Sequence, residues 1–409
     1  MTCSFDAAST ARGLVLAAAV VGSLVGACRA TPPDAPPDCV TSPAAGSPSP
    51  IGPAKSPARQ SRTTPPIVGV SAAPPLQVDS DVPMPGDTLR FDYQSIDTGM
   101  NRLYISHLGD GNMVVFDLQT NRVLATVGNL PTVTGVLAVP ELGKVYASAV
   151  GLRQVAIIND TTLQVVAYAG PIAFPDGLAY APDQQKVYVS DESGGVELVI
   201  DGRSNQVVTT IPLGGEAGNT VYDAGSHCVL VAVQTQHQVV AIDPRTDRVI
   251  GRYRPAGVDY PHGLLVDAPQ RLLFVANNGV ATLSIIDLQT MRVLGTKPIG
   301  RSPDVLAFDP VWRRLYVASE TGVVSVFTEL GSVLTLDGEL TMPHAHTVAA
   351  DPRTHLVYFP LQDLAGQPVL RIMSGTPPPL AGPRQGVMGL GGSAAFVRGM
   401  GARKTFAVR

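Results

Sequence analysis

Seven polar residues recur along the chain at an almost constant interval, each about ten residues before a short segment that resembles "KVYVS". They are Asp92, Thr134, Asp176, Asn219, His262, Asp304 and His346. Imidazole and carboxylate groups bind divalent first-row metals, and they also act as general acids and bases. Seven such residues that converge would form a site for a small ligand or for a metal ion. His344 lies two residues before His346 and would face the same way in an extended strand.

The segments that follow these residues define an internal repeat. They begin at Arg102, Lys144, Lys186, Cys228, Arg271, Arg314 and Leu356, so the steps are 42 or 43 residues. A fixed period of this size is typical of a repeat architecture. The seven copies therefore predict seven equivalent structural units.

One repeat contains four short apolar runs, as in "DGLAYAPDQQKVYVSDESGGVELVIDGRSNQVVTTIPLG" from Asp176 to Gly214. Alternating Val and Tyr favour strands, and the Gly, Asp, Asn and Pro residues between the runs favour tight turns. Four antiparallel strands in about 40–45 residues correspond to one blade of a β-propeller. The sequence thus predicts an all-β, seven-bladed propeller of four-stranded antiparallel blades.

Three further features of the repeat are predicted to be structural. "KVYVS" is expected to form the second strand of every blade, with Val and Tyr packed between neighbouring sheets. The "D-x-x-T" pattern, as in "DLQTNRV" from Asp117, is expected to start an Asx turn between the third and fourth strands. The seventh repeat lacks a fourth strand, so "LQVDSDVPMPG", residues 76–86, is predicted to complete that blade and close the ring.

The run "RFDYQSIDTGMNRLYISHLGDGNMVVFDLQTNRVLATV" and its six relatives resemble the YVTN-repeat, YncE-like β-propellers, with "LYIS", "VYVS" and "LYVA" in place of the literal motif. The resemblance covers about residues 75–374. It implies that the first strand of each blade lines a central channel and that the seven polar residues surround one mouth. His262, Asp304, His346 and Asp92 are then contiguous, because the seventh blade abuts the first, and they form the candidate metal site.

A structural explanation of the same ring stands beside this hypothesis. Channel mouths are hydrated, and Asp and His residues there can fix loops by hydrogen bonding without any ligand. His107 and Asp110, in the turn "SHLGDG", and His227, His237 and His355, at strand edges or turns, are predicted to be structural or solvated.

The termini differ in composition from the repeats. Residues 1–27 contain Arg12 and an apolar run, which predicts a secretory signal. "LVGAC" ends at Cys28 and resembles the lipobox of bacterial lipoproteins, which implies lipidation of Cys28; the alternative is an ordinary signal peptide in which Cys28 has no role. Residues 28–74, rich in Pro, Ala and Ser, predict a disordered tether, and residues 375–409 a low-complexity tail.

The whole composition limits the function. A formal charge of −4 disfavours a nucleic-acid partner, and the four cysteines show no disulfide framework or metal-type spacing. The leading hypothesis is an exported, lipid-anchored, monomeric scaffold in the cell envelope that binds a protein, a glycan or a small molecule. The alternative is a metal-dependent or lactonase-like enzyme that uses the polar ring, with a divalent metal as its cofactor. Fold alone does not decide between them.

Overall fold

The computed structural model describes residues 74–377, which form seven four-stranded antiparallel sheets in a ring. The predicted signal peptide, the lipidation site at Cys28, nearly all of the tether and most of the tail lie outside the described residues. Among residues 74–377, no helix has the length and hydrophobicity that a membrane-spanning helix needs.

The strands follow the repeat in chain order, and each blade runs from the channel outward. Blade 1 contains β2 (Gln94–Asp97), β3 (Arg102–His107), β4 (Asn112–Asp117) and β5 (Arg122–Val127). Blade 2 contains β6 (Val133–Val139), β7 (Lys144–Ala149), β8 (Gln154–Asn159) and β9 (Val165–Ala169). Blade 3 contains β10 (Pro175–Ala181), β11 (Lys186–Asp191), β12 (Val196–Asp201) and β13 (Val207–Pro212). Blade 4 contains β14 (Ala217–Asp223), β15 (Cys228–Val233), β16 (Gln238–Asp243) and β17 (Arg248–Tyr253).

The remaining three blades repeat the same order. Blade 5 contains β18 (Pro261–Asp267), β19 (Leu272–Asn277), β20 (Thr282–Asp287) and β21 (Arg292–Pro298). Blade 6 contains β22 (Pro303–Asp309), β23 (Arg314–Ser319), β24 (Val323–Leu330) and β25 (Val333–Thr341). Blade 7 contains β26 (Ala349–Ala350), β27 (Leu356–Leu364), β28 (Gln367–Gly375) and β1 (Leu76–Pro83).

The ring closes as the sequence predicts. β1 pairs antiparallel with β28 and forms the outermost strand of blade 7, where Val78 lies opposite Met373. The first strands of neighbouring blades contact each other around the whole ring, including β2 with β26. An N-terminal segment and the C-terminal repeat therefore share one sheet, which removes the exposed edge of an open stack.

The "KVYVS" copies are the second strands, and their apolar side chains fill the interfaces between sheets. Tyr104, Tyr146, Tyr188, Tyr316 and Tyr358 are fully buried there. The basic residue has a separate role that the sequence did not indicate. Lys186 Nζ donates to Pro244 O at 3.0 Å and pairs with Asp247 Oδ2 at 2.6 Å, both in the next blade. The first residue of the motif thus ties one blade to the turn of its neighbour.

The Asx turns between third and fourth strands are confirmed. Asp117 Oδ1 accepts hydrogen bonds from the amides of Gln119 at 2.8 Å and Thr120 at 2.9 Å. Asp287 makes the same two contacts with Gln289 and Thr290. These carboxylates accept local backbone hydrogen bonds in turns between the two outer strands of a blade, so their role is structural.

Candidate functional site

One mouth of the channel is built from three parts of every blade. These parts are the start of the first strand, the turn between the second and third strands, and the loop that connects the preceding blade to the first strand. Six of the seven predicted ring residues are buried and His262 is partly buried. Asp92 and His346 lie just before β2 and β26, whereas Thr134, Asp176, His262 and Asp304 each occupy the second position of a first strand.

The predicted equivalence of Asn219 with the other ring residues is wrong by one position. In blade 3, Pro175 pairs with Asp191, and the next residue is Asp176. In blade 4, Ala217 pairs with Val233, and the next residue is Gly218. A Cβ atom on Gly218 would lie 3.1 Å from the His262 backbone, so glycine leaves space for His262. Asn219 lies one residue further along the channel.

Four of the ring residues are contiguous, as the sequence predicts. His262 Nε2 lies 3.0 Å from Asp304 Oδ1, and His346 Nδ1 lies 3.4 Å from Asp304 Oδ2. His346 Nε2 lies 3.3 Å from Asp92 Oδ1, across the junction between blades 7 and 1. Side chains of blades 5, 6, 7 and 1 therefore form a continuous chain of imidazole and carboxylate groups.

Three members of this chain could hold a metal ion. Asp92, Asp304 and His346 each offer a ligand atom, and these atoms lie within 4.8 Å of one another. His262 does not belong to that group of three; its Nδ1 lies 3.1 Å from Gln234 Oε1, and its Nε2 faces Asp304. Two carboxylates and one imidazole suit zinc or a similar first-row metal.

Arg90 is a mouth residue that the sequence did not reveal, because it lies in the loop before the first repeat. Its guanidinium nitrogens lie 3.8 Å from Asp92 Oδ2, 3.9 Å from Asp304 Oδ2 and 3.1 Å from Glu320 Oε1. A fixed positive charge therefore already sits beside both carboxylates of the candidate metal site. It opposes the binding of a second cation at that point.

The electrostatics of this side of the mouth favour charged histidines. Burial by itself lowers the pKa of His262, but the charges of Asp304, Asp176 and Glu192 outweigh it and raise the pKa to about 9. Burial alone raises the pKa of Asp304, yet the imidazolium groups of His346 and His262 lower it to about 2. Asp304 is therefore a stable anion between two imidazolium groups.

The opposite side of the mouth carries carboxylates of a different kind. Burial and the nearby charge of Asp92 raise the pKa of Asp176 to about 7. Burial also raises the pKa of Glu192, and Glu216 adds to the effect while His262 opposes it. Thr134, the remaining ring residue, donates its hydroxyl to Pro175 O at 2.7 Å, which is a contact between blades.

These groups surround a cavity of about 430 Å³ at the mouth. Its walls include the turn residues Leu108, Glu192, Gln234, Asn278 and Glu320, and the loop residues Arg90, Phe174, Glu216 and Tyr260. A second cavity of about 270 Å³ lies deeper in the channel, and Tyr93 lines both.

Tyr93 reaches across the channel to the facing blades. Its hydroxyl contacts Asn219 Oδ1 and lies 3.3 Å from Asp176 Oδ2. In blades 2, 3 and 5 the equivalent first-strand residue is glycine, at Gly135, Gly177 and Gly263. The tyrosine ring is thus the floor of the mouth cavity.

The remaining histidines do not line the mouth cavity, although His237 Nδ1 accepts a hydrogen bond from the backbone N–H of Tyr260 at 3.1 Å. His344 was expected to face the same way as His346, but it is exposed in a turn with φ +65°, so the chain there is not extended. His107 stacks on Phe91 with ring centroids 4.0 Å apart. His227, His237 and His355 occupy turn positions with positive φ, as the structural interpretation predicts.

Comparison with known proteins does not assign the chain. No family model matches the sequence, and no curated protein matches it either. The function therefore has to be inferred from the geometry of the mouth itself.

Proposed function

We propose that the protein is a non-catalytic binding protein of the cell envelope that holds a small polar ligand at the mouth of its propeller channel. The observation that supports this most directly is the cavity of about 430 Å³ into which Asp176, His262 and Asp304 converge. Its volume falls in the range of about 300–1,000 Å³ that is usual for small-molecule sites. A ring that served only to fix loops would not need an open cavity beside its charged groups.

The state of the histidines favours binding over catalysis. A general base needs a free ring nitrogen and a pKa near the working pH. His262 has both nitrogens occupied, by Gln234 and Asp304, and its pKa of about 9 keeps it protonated at neutral pH. His346 also faces carboxylates with both nitrogens. Burial by itself lowers its pKa, but the charge of Asp304 and, after it, that of Asp92 leave the pKa raised. Neither imidazole therefore has a nitrogen that is free of a carboxylate or amide partner.

The cellular setting of the proposal comes from the N-terminal sequence. The signal-like residues 1–27 and the lipobox-like Cys28 support export and a lipid anchor, with residues 28–74 as a tether. Cys228 is disulfide-bonded. Disulfides persist in oxidising compartments, which supports export and revises the expectation of no disulfide. The seven blades and the "LYIS"-type motifs support membership of the YVTN-repeat group.

A thermal-shift screen with a small-molecule library of mixed charge tests the binding role. The purified protein is compared with Leu108→Trp, which places a large ring in the cavity, and with Leu330→Trp on the exposed end of β24. We expect compounds that stabilise the wild type and Leu330→Trp but not Leu108→Trp. A screen without such compounds would contradict the proposed function.

The cluster of Asp92, Asp304 and His346 favours a second candidate, a metal-dependent or lactonase-like enzyme. The three residues would hold a divalent metal, which would supply Lewis-acid chemistry next to the cavity. Elemental analysis of protein prepared without affinity histidines, with melting curves with and without chelator, tests this function. A stoichiometric metal with a chelator-sensitive melting point that is lost in His346→Ala supports it, and a metal-free, chelator-insensitive protein rejects it.

A further inference from the structure

The two sides of the mouth cavity differ in charge balance. On the side of blades 5, 6, 7 and 1, three cationic side chains face three carboxylates at 3.0–3.9 Å: Arg90, His262 and His346 against Asp92, Asp304 and Glu320. The carboxylates on that side therefore already have basic partners within the protein.

The side formed by blades 3 and 4 has no such close ion pairs, and His262, which is paired with Asp304, only partly offsets its negative charge. Its three carboxyl groups belong to Asp176, Glu192 and Glu216, and their hydrogen-bond partners are neutral. Gln234 Nε2 donates to Glu192 Oε1 at 3.4 Å, and the Tyr260 hydroxyl donates to Glu216 Oε2 at 2.8 Å. Among residues 74–377, no Lys, Arg or His nitrogen lies within 4.0 Å of these three groups.

Asp176 is the group for which this lack of a partner matters most. The residue is only 5% exposed, and it lines the cavity. Oδ2 of Asp176 lies 3.3 Å from the Tyr93 hydroxyl, whose single proton is shared with Asn219. Within the described part of the chain, Oδ1 of Asp176 has no hydrogen-bond donor. Because Asp176 lines the cavity, a donor group of a bound ligand could reach this oxygen.

Aromatic rings complete this side of the cavity. Phe174 comes from the loop before β10, Tyr260 from the loop before β18, and Tyr93 forms the floor. Aromatic faces attract organic cations. Carboxylates that lack a close basic partner and lie beside aromatic rings form a combination that suits an alkylammonium group better than an anion or a neutral sugar.

We infer that the ligand of the channel mouth is an organic cation, whose amino group is bound by Asp176, Glu192 and Glu216 beside Phe174 and Tyr260. This inference rests on the proposed binding function and names the ligand class for it. The cavity of about 430 Å³ is far larger than a single metal ion requires, so the rest of the ligand is organic.

Calorimetric titration with a panel of amines tests the inference. The panel contains 1,4-diaminobutane, agmatine, choline and tyramine, each paired with a neutral analogue such as 1,4-butanediol, at matched ionic strength near pH 8. We expect at least one amine to bind while its neutral analogue does not. Glu192→Gln and Glu216→Gln should each weaken that binding by about tenfold or more.

Matched variants separate the site from general charge effects. Glu141→Gln removes an exposed carboxylate from the 3₁₀ turn Pro140–Leu142, at the other end of the first strands, and should leave amine binding unchanged. Glu-to-Gln changes keep the side-chain volume, and equal melting temperatures would confirm that the variants are folded. Tyr260→Ala should weaken amine binding, since it removes an aromatic wall and the donor to Glu216.

The failure of this inference is distinguishable from the failure of the proposed function. If library compounds bind in a Leu108→Trp-sensitive manner but are anions or neutral molecules, the binding function stands and the organic cation is wrong. The inference is also overturned if no amine of the panel binds, if the neutral analogues bind equally well, or if only Zn²⁺ binding responds to Glu192→Gln. If no compound of any charge binds, both proposals fail.

Discussion

His262 of blade 5 and Asp304 of blade 6 are joined by a 3.0 Å contact between Nε2 and Oδ1. The two residues lie 42 positions apart in sequence, which is the length of one repeat. They meet because equivalent positions of neighbouring blades are adjacent around the ring. The pair is largely shielded from solvent, and each partner stabilises the charged form of the other. A single ion pair thus links the repeat architecture to the electrostatics of the mouth.

The first prediction concerns the pH dependence of stability. Because the folded-state pKa of His262 is about 9 and its ordinary value is 6.5, the pair stabilises the fold fully below about pH 6.5. That contribution, up to about 3 kcal/mol, is lost as the pH rises towards 9. Urea midpoints should therefore fall between about pH 6.5 and 9 in the wild type and fall much less in His262→Gln.

The acid side of the same profile provides an internal check. The pKa of Asp304 is lowered to about 2, so its contribution to stability is present above its ordinary pKa of 3.8 and is lost only as the pH falls towards 2.

An equal decrease of the urea midpoint at alkaline pH in the wild type and in His262→Gln would show that another group controls the alkaline transition.

The second prediction concerns the candidate metal site and Arg90. The guanidinium lies within 4 Å of both Asp92 and Asp304, so it competes with any metal there. Removing one charge at this distance changes the local energy by several kcal/mol at an effective dielectric constant of about 20. Arg90→Gln should therefore bind Zn²⁺ at least about tenfold more tightly in a chelator-competition titration.

Two further variants give this prediction its controls. Arg122→Gln, which removes an exposed arginine from β5, should leave Zn²⁺ affinity unchanged. Asp304→Asn should abolish the gain that Arg90→Gln produces. If Arg90→Gln binds Zn²⁺ no more tightly than the wild type, the guanidinium does not compete for this site.

The third prediction concerns a carboxyl group in the core. Glu197 on β12 is fully buried and pairs with Ser190, as the apolar Met113 pairs with Ser106 in blade 1. Burial raises the pKa of Glu197 well above its ordinary value, so its presence destabilises the fold increasingly as the pH rises above about 4.5. Glu197→Met should raise the free energy of unfolding at neutral pH by about 1–3 kcal/mol.

Urea denaturation at about pH 4 and pH 7 measures this effect. The gain should be smaller at the lower pH, where the carboxyl group is neutral in both states. A loss of stability in Glu197→Met at neutral pH would mean that the carboxyl group makes a contact that outweighs its burial. Such a result would point to a polar partner in the interface between blades 3 and 4.

The fourth prediction concerns the basic residue that opens the repeated motif. Lys186 links blade 3 to the turn of blade 4 through Pro244 and Asp247. Both side chains are largely shielded from solvent, so Lys186→Met should lower the free energy of unfolding by about 1–2 kcal/mol. Lys297→Met on β21, the outermost strand of blade 5, is the matched control and should have little effect on the urea midpoint.

The sequence predicted the ring because the ring is a property of the repeat. Each copy has turn residues at similar positions and the same alternation of apolar residues in its strands, so seven copies give seven blades, and the missing fourth strand identifies β1. The mouth residues were largely predictable for the same reason, since they occupy one fixed position in each copy. The exception is blade 4, where the sequence predicts Asn219 but the equivalent position is Gly218.

Arg90, Glu192, Glu216 and Tyr260 were not predicted as site residues, since they lie in loops and turns. Loop residues follow no periodic pattern, and their meeting at one cavity depends on loop paths that the repeat does not specify. Tyr93 was not predicted for a different reason. It occupies a position that is glycine in three other blades, and its contacts with Asp176 and Asn219 exist only because the closed ring places blade 1 opposite blades 3 and 4. The charge asymmetry of the mouth likewise depends on these loop residues.

The most direct test of the central claim is diffraction from crystals soaked with the strongest compound from the mixed-charge screen. The account predicts that the compound occupies the mouth cavity above Tyr93, with a polar group in contact with Asp176 or its neighbours. Density for the compound elsewhere on the molecule, with only water in the mouth cavity at saturating concentration, would contradict the claim that this mouth is the binding site.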